Sequence, residues 1–156
     1  MSDADSRQPT PDSLAEVRRQ RRGVRAALEA LEHSVAAASA GREADWIAGV
    51  VERLQDLQAA FNHHVVVTEG SAGLFEEVMD HAPRLAHQIA ALGAEHRVIS
   101  DALDTGLRMA GKAQGAEGVA EAREVAIDIM SQITRHRHNG AGLVYEAYNV
   151  DIEAAD

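Results

Sequence analysis

Apolar residues recur at alternating steps of three and four along most of the chain, the spacing that lines one face of an α-helix. The first run, Leu14, Val17, Val24, Leu28, Leu31, Val35 and Ala38, is interrupted only at Arg21. It predicts a helix over 13–40, with Asp12 or Ser13 as N-cap after Pro11. "AGRE" at 40–43 ends it, and a second helix starts near Glu43 with Ile47, Val50, Leu54, Leu57, Phe61 and His64 on its seam and Thr68 next. Read alone, the valines of "FNHHVVVTEG" at 61–70 suit a strand. The helical periodicity that runs into them from Glu43 favours helix.

"EGSAG" at 69–73 stops that helix, and "LFEEVMDHAP" reads as a short helical connection before Pro83 opens a third helix. Its seam is Leu85, Ile89, Leu92, His96, Ile99, Leu103 and, less regularly, Leu107. "GKAQGAEG" at 111–118 reads as a loop. The fourth helix carries Val119, Ala126, Met130, Ile133, His136, Gly140, Leu143 and Ala147, with a bend or interruption expected at "NGAG". The pattern predicts an all-α fold: an up-down-up-down four-helix bundle over 12–151, with a short helical connection between the second and third helices. Residues 1–11 and the acidic 152–156 read as tails. A pair of long hairpins completed in a homodimer is the alternative.

Composition fits this picture. Apolar residues make up 46% of the 156, aromatics only 3%, and prolines number three. With 25 acidic against 15 basic side chains the formal charge is −10, which argues against nucleic acid and anionic membranes as partners. Cysteine is absent, so thiolate metal sites, disulfides and cysteine nucleophiles are excluded, and any metal must be held by nitrogen and oxygen. No nucleophile elbow or phosphate loop occurs. No apolar run approaches the ~20 residues of a membrane span, and the N-terminal "MSDADSRQPTPDS" lacks a secretory pattern, so a cytoplasmic protein is expected.

The candidate chemistry lies in the histidines. Of eight, His64, His96 and His136 occupy seam slots otherwise filled by aliphatic residues, whereas His33, His63, His87 and His138 fall off the seams and His81 lies in the connection. Counted from the loops at one end of the bundle, the three inward histidines lie about 22, 18 and 22 residues along, a spread of ~6 Å. They can meet in one layer. Glu69, five residues beyond His64, and Glu146, further along the fourth helix, are candidate carboxylate ligands beside them. Neutral imidazole and carboxylate suit iron, manganese and zinc. Alternatively each histidine is a hydrogen-bonded core residue.

At these residues the chain resembles the hemerythrin-like (HHE cation-binding) family. "HVVVTE" resembles the second-helix element, with His64 and Glu69 one residue further apart than in the family. "LGAEH" resembles the third, with Leu92 at the first ligand slot and His96 at the second. "HRHNGA" resembles the fourth, with His136 at the histidine slot and Ala141 at the carboxylate slot. The first-helix histidine could only be His33, off the seam and far from the layer. The chain thus resembles a divergent branch with an incomplete ligand motif, and Glu95, Tyr145, Glu146 and Asp151 are substitute oxygen ligands or partners of the imidazoles.

The resemblance implies a four-helix bundle with one or two non-haem iron ions that binds or turns over dioxygen, peroxide or nitric oxide. Arg21 is expected to face the same layer, where it could pair with Glu69 or Glu146 or position a small anion, or else to reach solvent. The competing function is a non-enzymatic regulatory or interaction bundle whose buried histidine layer holds no metal.

Overall fold

The computed structural model describes residues 11–153, with side chains described over 15–148 apart from residue 17. The side chains of Leu14, Val17 and Asp151, and most of both expected tails, lie outside what is described. Five helices follow in order: α1 (Pro11–Ala36), α2 (Glu43–Glu69), α3 (Leu74–His81), α4 (Ala86–Lys112) and α5 (Gly115–Glu153), with a single 3₁₀ turn at Pro83–Leu85 before α4. The fold is all-α, with four long helices, and no strand occurs among the described residues. None of the described helices is long and apolar enough to cross a membrane.

α1 packs chiefly on α2 and α4 on α5, while α2 also contacts α4 and α5 and so joins the two pairs. Trp46 closes the α1–α2 link. Its indole is buried, Nε1 donates to the Ala37 carbonyl at 3.0 Å, and the Arg123 guanidinium of α5 lies 5.0 Å from the ring centroid on its other side. Between α4 and α5 the approach is close at Gly106, where a Cβ would stand 2.7 Å from Ile129 Cδ1 and 2.8 Å from Val125 Cγ1.

The α2–α3 turn needs glycine for a similar reason. α2 ends at Glu69, and a Cβ at Gly73 would run into the carbonyl oxygens of Val67, Gly70 and Thr68. The left-handed residue of the turn is Ala72 (φ 57°), whereas Gly70 is extended. The glycine after Glu69 therefore stops the helix without the left-handed cap that its position suggests.

Several boundaries differ from expectation, and α1 ends at Ala36, which leaves Ala38 outside it. Helix occupies most of 111–118, leaving only 113–114 outside it, and α5 passes through "NGAG" without a break. A glycine costs a helix about 1 kcal/mol. Burial of Ile133, His136, Leu143 and Ala147 on either side outweighs that cost.

The core has two parts. A larger cluster of α1, α2, α4 and α5 includes Leu31, Leu54, Phe61, Ile99 and Ile133, and a smaller one of α3, α4 and α5 includes Val78, Ile89, Leu92 and Leu143. His96 falls between Leu92 and Ile99 on α4, and His136 between Ile133 and Leu143 on α5. The imidazoles thus occupy the boundary between the two clusters, where neither can supply an apolar side chain from those helices.

Leu54 is fully buried in the larger cluster. Leu54→Ala is expected to cost about 2–5 kcal/mol by the cavity it leaves, and Gly73→Ala about 1–3 kcal/mol by the clash with three carbonyls, both measured as shifts of the urea midpoint.

Candidate metal centre

Helices α2, α4 and α5 each deliver one imidazole to a common point. His96 and His136 are buried and His64 is partly so. His64 Nε2 stands 3.2 Å from His96 Nε2 and 3.3 Å from His136 Nε2, and the ligand atoms of all three lie within 4.8 Å of one another. Phe61, one turn before His64, packs against the whole set, its centroid 5.7, 5.9 and 5.9 Å from the rings of His64, His96 and His136. Phe75 of α3 stacks on His96 with centroids 5.5 Å apart and planes 10° from parallel. His96, held between Phe61 and Phe75, has little freedom to turn.

The other ring nitrogens fix the protons. His96 Nδ1 lies 2.7 Å from Glu69 Oε1, and His136 Nδ1 lies 2.7 Å from Glu95 Oε2. Asn139 Nδ2 in turn donates to Glu95 Oε1 at 2.8 Å, one helical turn beyond His136. An ionised carboxylate only accepts, so each Nδ1 donates its proton outward. A neutral imidazole has one N–H, which leaves Nε2 of His96 and of His136 as bare lone pairs facing the centre. His64 Nε2 carries at most one proton for two such acceptors. The three nitrogens cannot all be hydrogen-bonded to one another.

Protonation does not relieve the shortage. Burial, first, and then the repulsion a proton on neighbouring His96 or His136 would exert push the His64 imidazole from its ordinary 6.5 down to about 3. Burial also holds His96 below its ordinary value, opposed by its hydrogen bond to Glu69. Neutral imidazoles with converging lone pairs make an electron-rich pocket for a cation. Two nitrogens bound at roughly 2.1 Å to one tetrahedral ion stand roughly 3.4 Å apart, close to the spacing of the two His64 contacts. The donor set fits a divalent ion, with Glu69 and Glu95 orienting two of the imidazoles and balancing the charge.

Glu69 is therefore placed on the Nδ1 side of His96, away from the nitrogen cluster, because a helix that continues to residue 69 turns the fifth residue beyond His64 toward α4. Glu146 is placed elsewhere, which corrects its expectation as a ligand. Its carboxylate accepts from Gln88 Nε2 at 2.8 Å, and its carbonyl accepts from Arg84. Ten residues of continuous helix beyond His136 carry it about 15 Å along α5. Tyr145 is exposed, as are His33, His63, His87 and His138. Leu92 is buried in the cavity wall above the centre, and Ala141 and Arg21 also line that cavity.

Sequence reasoning missed Phe75, Asn139 and Arg137. The two last lie three and one residues from His136, and their helical phase relative to it was the available signal. Phase for Phe75 depends on the fold of the α2–α3 turn, which carries no periodicity.

No protein family, characterised protein or solved structure matches the chain.

The depressed His64 value sets a pH dependence for the metal-free protein. The unfolded chain binds a proton at His64 near pH 6.5 and the folded chain only near pH 3, so this group's stability contribution is full above 6.5 and falls as pH drops toward 3. Thermal melts of metal-free protein from pH 7 to pH 4 should show a falling Tm, and His64→Leu should flatten the slope. An unchanged slope would contradict a buried, neutral His64.

Proposed function

We propose that this chain is a hemerythrin-like non-haem metal protein. In this reading the bundle is up-down-up-down, and His64, His96 and His136 hold one ion, iron foremost, for binding or turning over dioxygen, peroxide or nitric oxide. The observation that carries it is the convergence of three Nε2 atoms whose ring partners, Glu69 and Glu95, have already claimed the Nδ1 protons of His96 and His136. Both carboxylates serve the imidazoles, so the set supports one ion rather than two.

When bound, a redox-active ion supplies electron exchange with the small oxidant. The chain's own residues supply the rest. Glu69 and Glu95 fix the tautomer and raise the basicity of the facing nitrogens. Phe61 and Phe75 hold the ring planes and exclude water from one side of the layer. The three imidazoles would hold the ion, and the cavity they help to line would admit a small molecule beside it. Zinc and manganese accept the same donors, and metal identity is an outcome of the test.

Metal content of protein purified without a histidine tag and reconstituted with ferrous iron tests the reading. Wild type is expected to hold about one equivalent and His96→Ala under about a tenth. Glu69→Gln and Glu95→Gln should retain the fold and bind the ion about 10–100-fold more weakly. Wild type holding under a tenth of an equivalent of any transition metal would overturn the assignment and leave a metal-free histidine layer.

A further inference from the structure

Above the histidine layer lies a cavity of about 160 Å³. Its walls are largely apolar, with Val24, Val67, Leu74, Phe75, Leu92 and Leu143 among them, and the three imidazoles form part of its lining. Two arginines also line it, Arg21 from α1 and Arg137 from α5. Arg21 is held below its ordinary value by partial burial and then by the Arg137 charge.

Arg19, Arg25 and Arg53 have carboxylate partners in Glu16, Glu29 and Asp56, whereas among the described residues others, such as Arg22, Arg108 and Arg123, have none. Acidic residues outnumber basic ones by 25 to 15. Yet among the described residues neither Arg21 nor Arg137 pairs with any carboxylate. Exposed Arg21 and half-buried Arg137 thus present two guanidiniums without carboxylate partners beside a largely apolar cavity, an arrangement that favours an anion. The cavity has the size of one that holds benzene, on the order of 150 Å³ when lined by aliphatic and aromatic side chains.

We propose that this cavity binds a small monocarboxylate whose apolar body is about the size of one aromatic ring. The guanidiniums of Arg21 and Arg137 take the carboxylate by charge-assisted hydrogen bonds, and the apolar walls take the body and hold it over the three-histidine centre. This names the ligand class of the site and rests on the metal reading for what the bound molecule faces. It departs from a centre that serves diatomic ligands alone, because a diatomic molecule needs neither the ring-sized space nor two cations.

Benzoate is the probe, titrated calorimetrically into the full chain both zinc-loaded and metal-free, with the zinc content of each sample measured. One benzoate per chain is expected to bind. Benzyl alcohol, with the ring and no charge, and acetate, with the charge and no ring, should each bind at least about tenfold more weakly. Arg21→Gln and Arg137→Gln should each weaken benzoate at least about tenfold while zinc content stays at the wild-type level. Arg21 is on α1, which bears none of the three histidines, and its variant carries the test if Arg137→Gln fails to fold. Absence of benzoate binding, equal binding of benzyl alcohol, or full affinity in both arginine variants would overturn the proposal. A chain that fails to take up zinc yet binds benzoate in an arginine-dependent way would overturn the metal reading and leave the carboxylate site standing.

Discussion

Each neutral imidazole carries a single N–H, and in His96 and His136 that proton is committed to a carboxylate outside the cluster. The nitrogens left facing inward are lone pairs 3.2 and 3.3 Å from His64, which has at most one proton to share between them. This shortage of donors is the constraint around which the rest is arranged. Such a layer would be costly in an apolar core if nothing filled it. The surrounding residues nevertheless tighten it: Phe61 touches all three rings, Phe75 stacks on one, and Asn139 anchors the Glu95 carboxylate. Burial holds His64 and His96 below their ordinary values and so favours the neutral state in which imidazole can ligate.

The architecture explains how three distant segments meet so closely. α2, α4 and α5 are long helices running through the layer, and the two apolar clusters on either side fix their relative heights. Trp46 ties the far end of the larger cluster across α1, α2 and α5, while the Gly70–Gly73 turn lets α3 fold back so that Phe75 reaches His96. The precision of the site is a property of packing at both ends, with the histidines themselves contributing few mutual bonds.

Much of this was legible in the chain. A three-four repeat is a direct record of which helix face is buried, so the four long helices and the inward placement of His96 and His136 follow from it, with His64 on the same seam at the layer's edge. Counting residues from the loops placed the three in one layer because the rise per residue of a helix is fixed. The carboxylates were harder. Glu69, a candidate ligand by its spacing, meets Nδ1 of His96 instead, since which atom an off-seam side chain meets depends on how neighbouring helices are rotated. Glu146, the other candidate, lies about 15 Å along α5 from His136, where Gln88 holds it. The uninterrupted course of α5 through two glycines had no local signal, because its cause is tertiary burial. That Arg137 of α5 lines the same cavity as Arg21 of α1 likewise has no local signal, because it depends on how α1 and α5 are set side by side.

The central claim is that three imidazoles present Nε2 to one ion while carboxylates hold the Nδ1 protons of two of them. Nitrogen-15 NMR of the histidine side chains, recorded on metal-free and zinc-loaded protein, tests it most directly. The account predicts that His96 and His136 carry their proton on Nδ1 in both samples, and that zinc shifts the Nε2 resonances of His64, His96 and His136 together at one equivalent. Protons on Nε2 of His96 and His136, or spectra that zinc leaves unchanged, would contradict it.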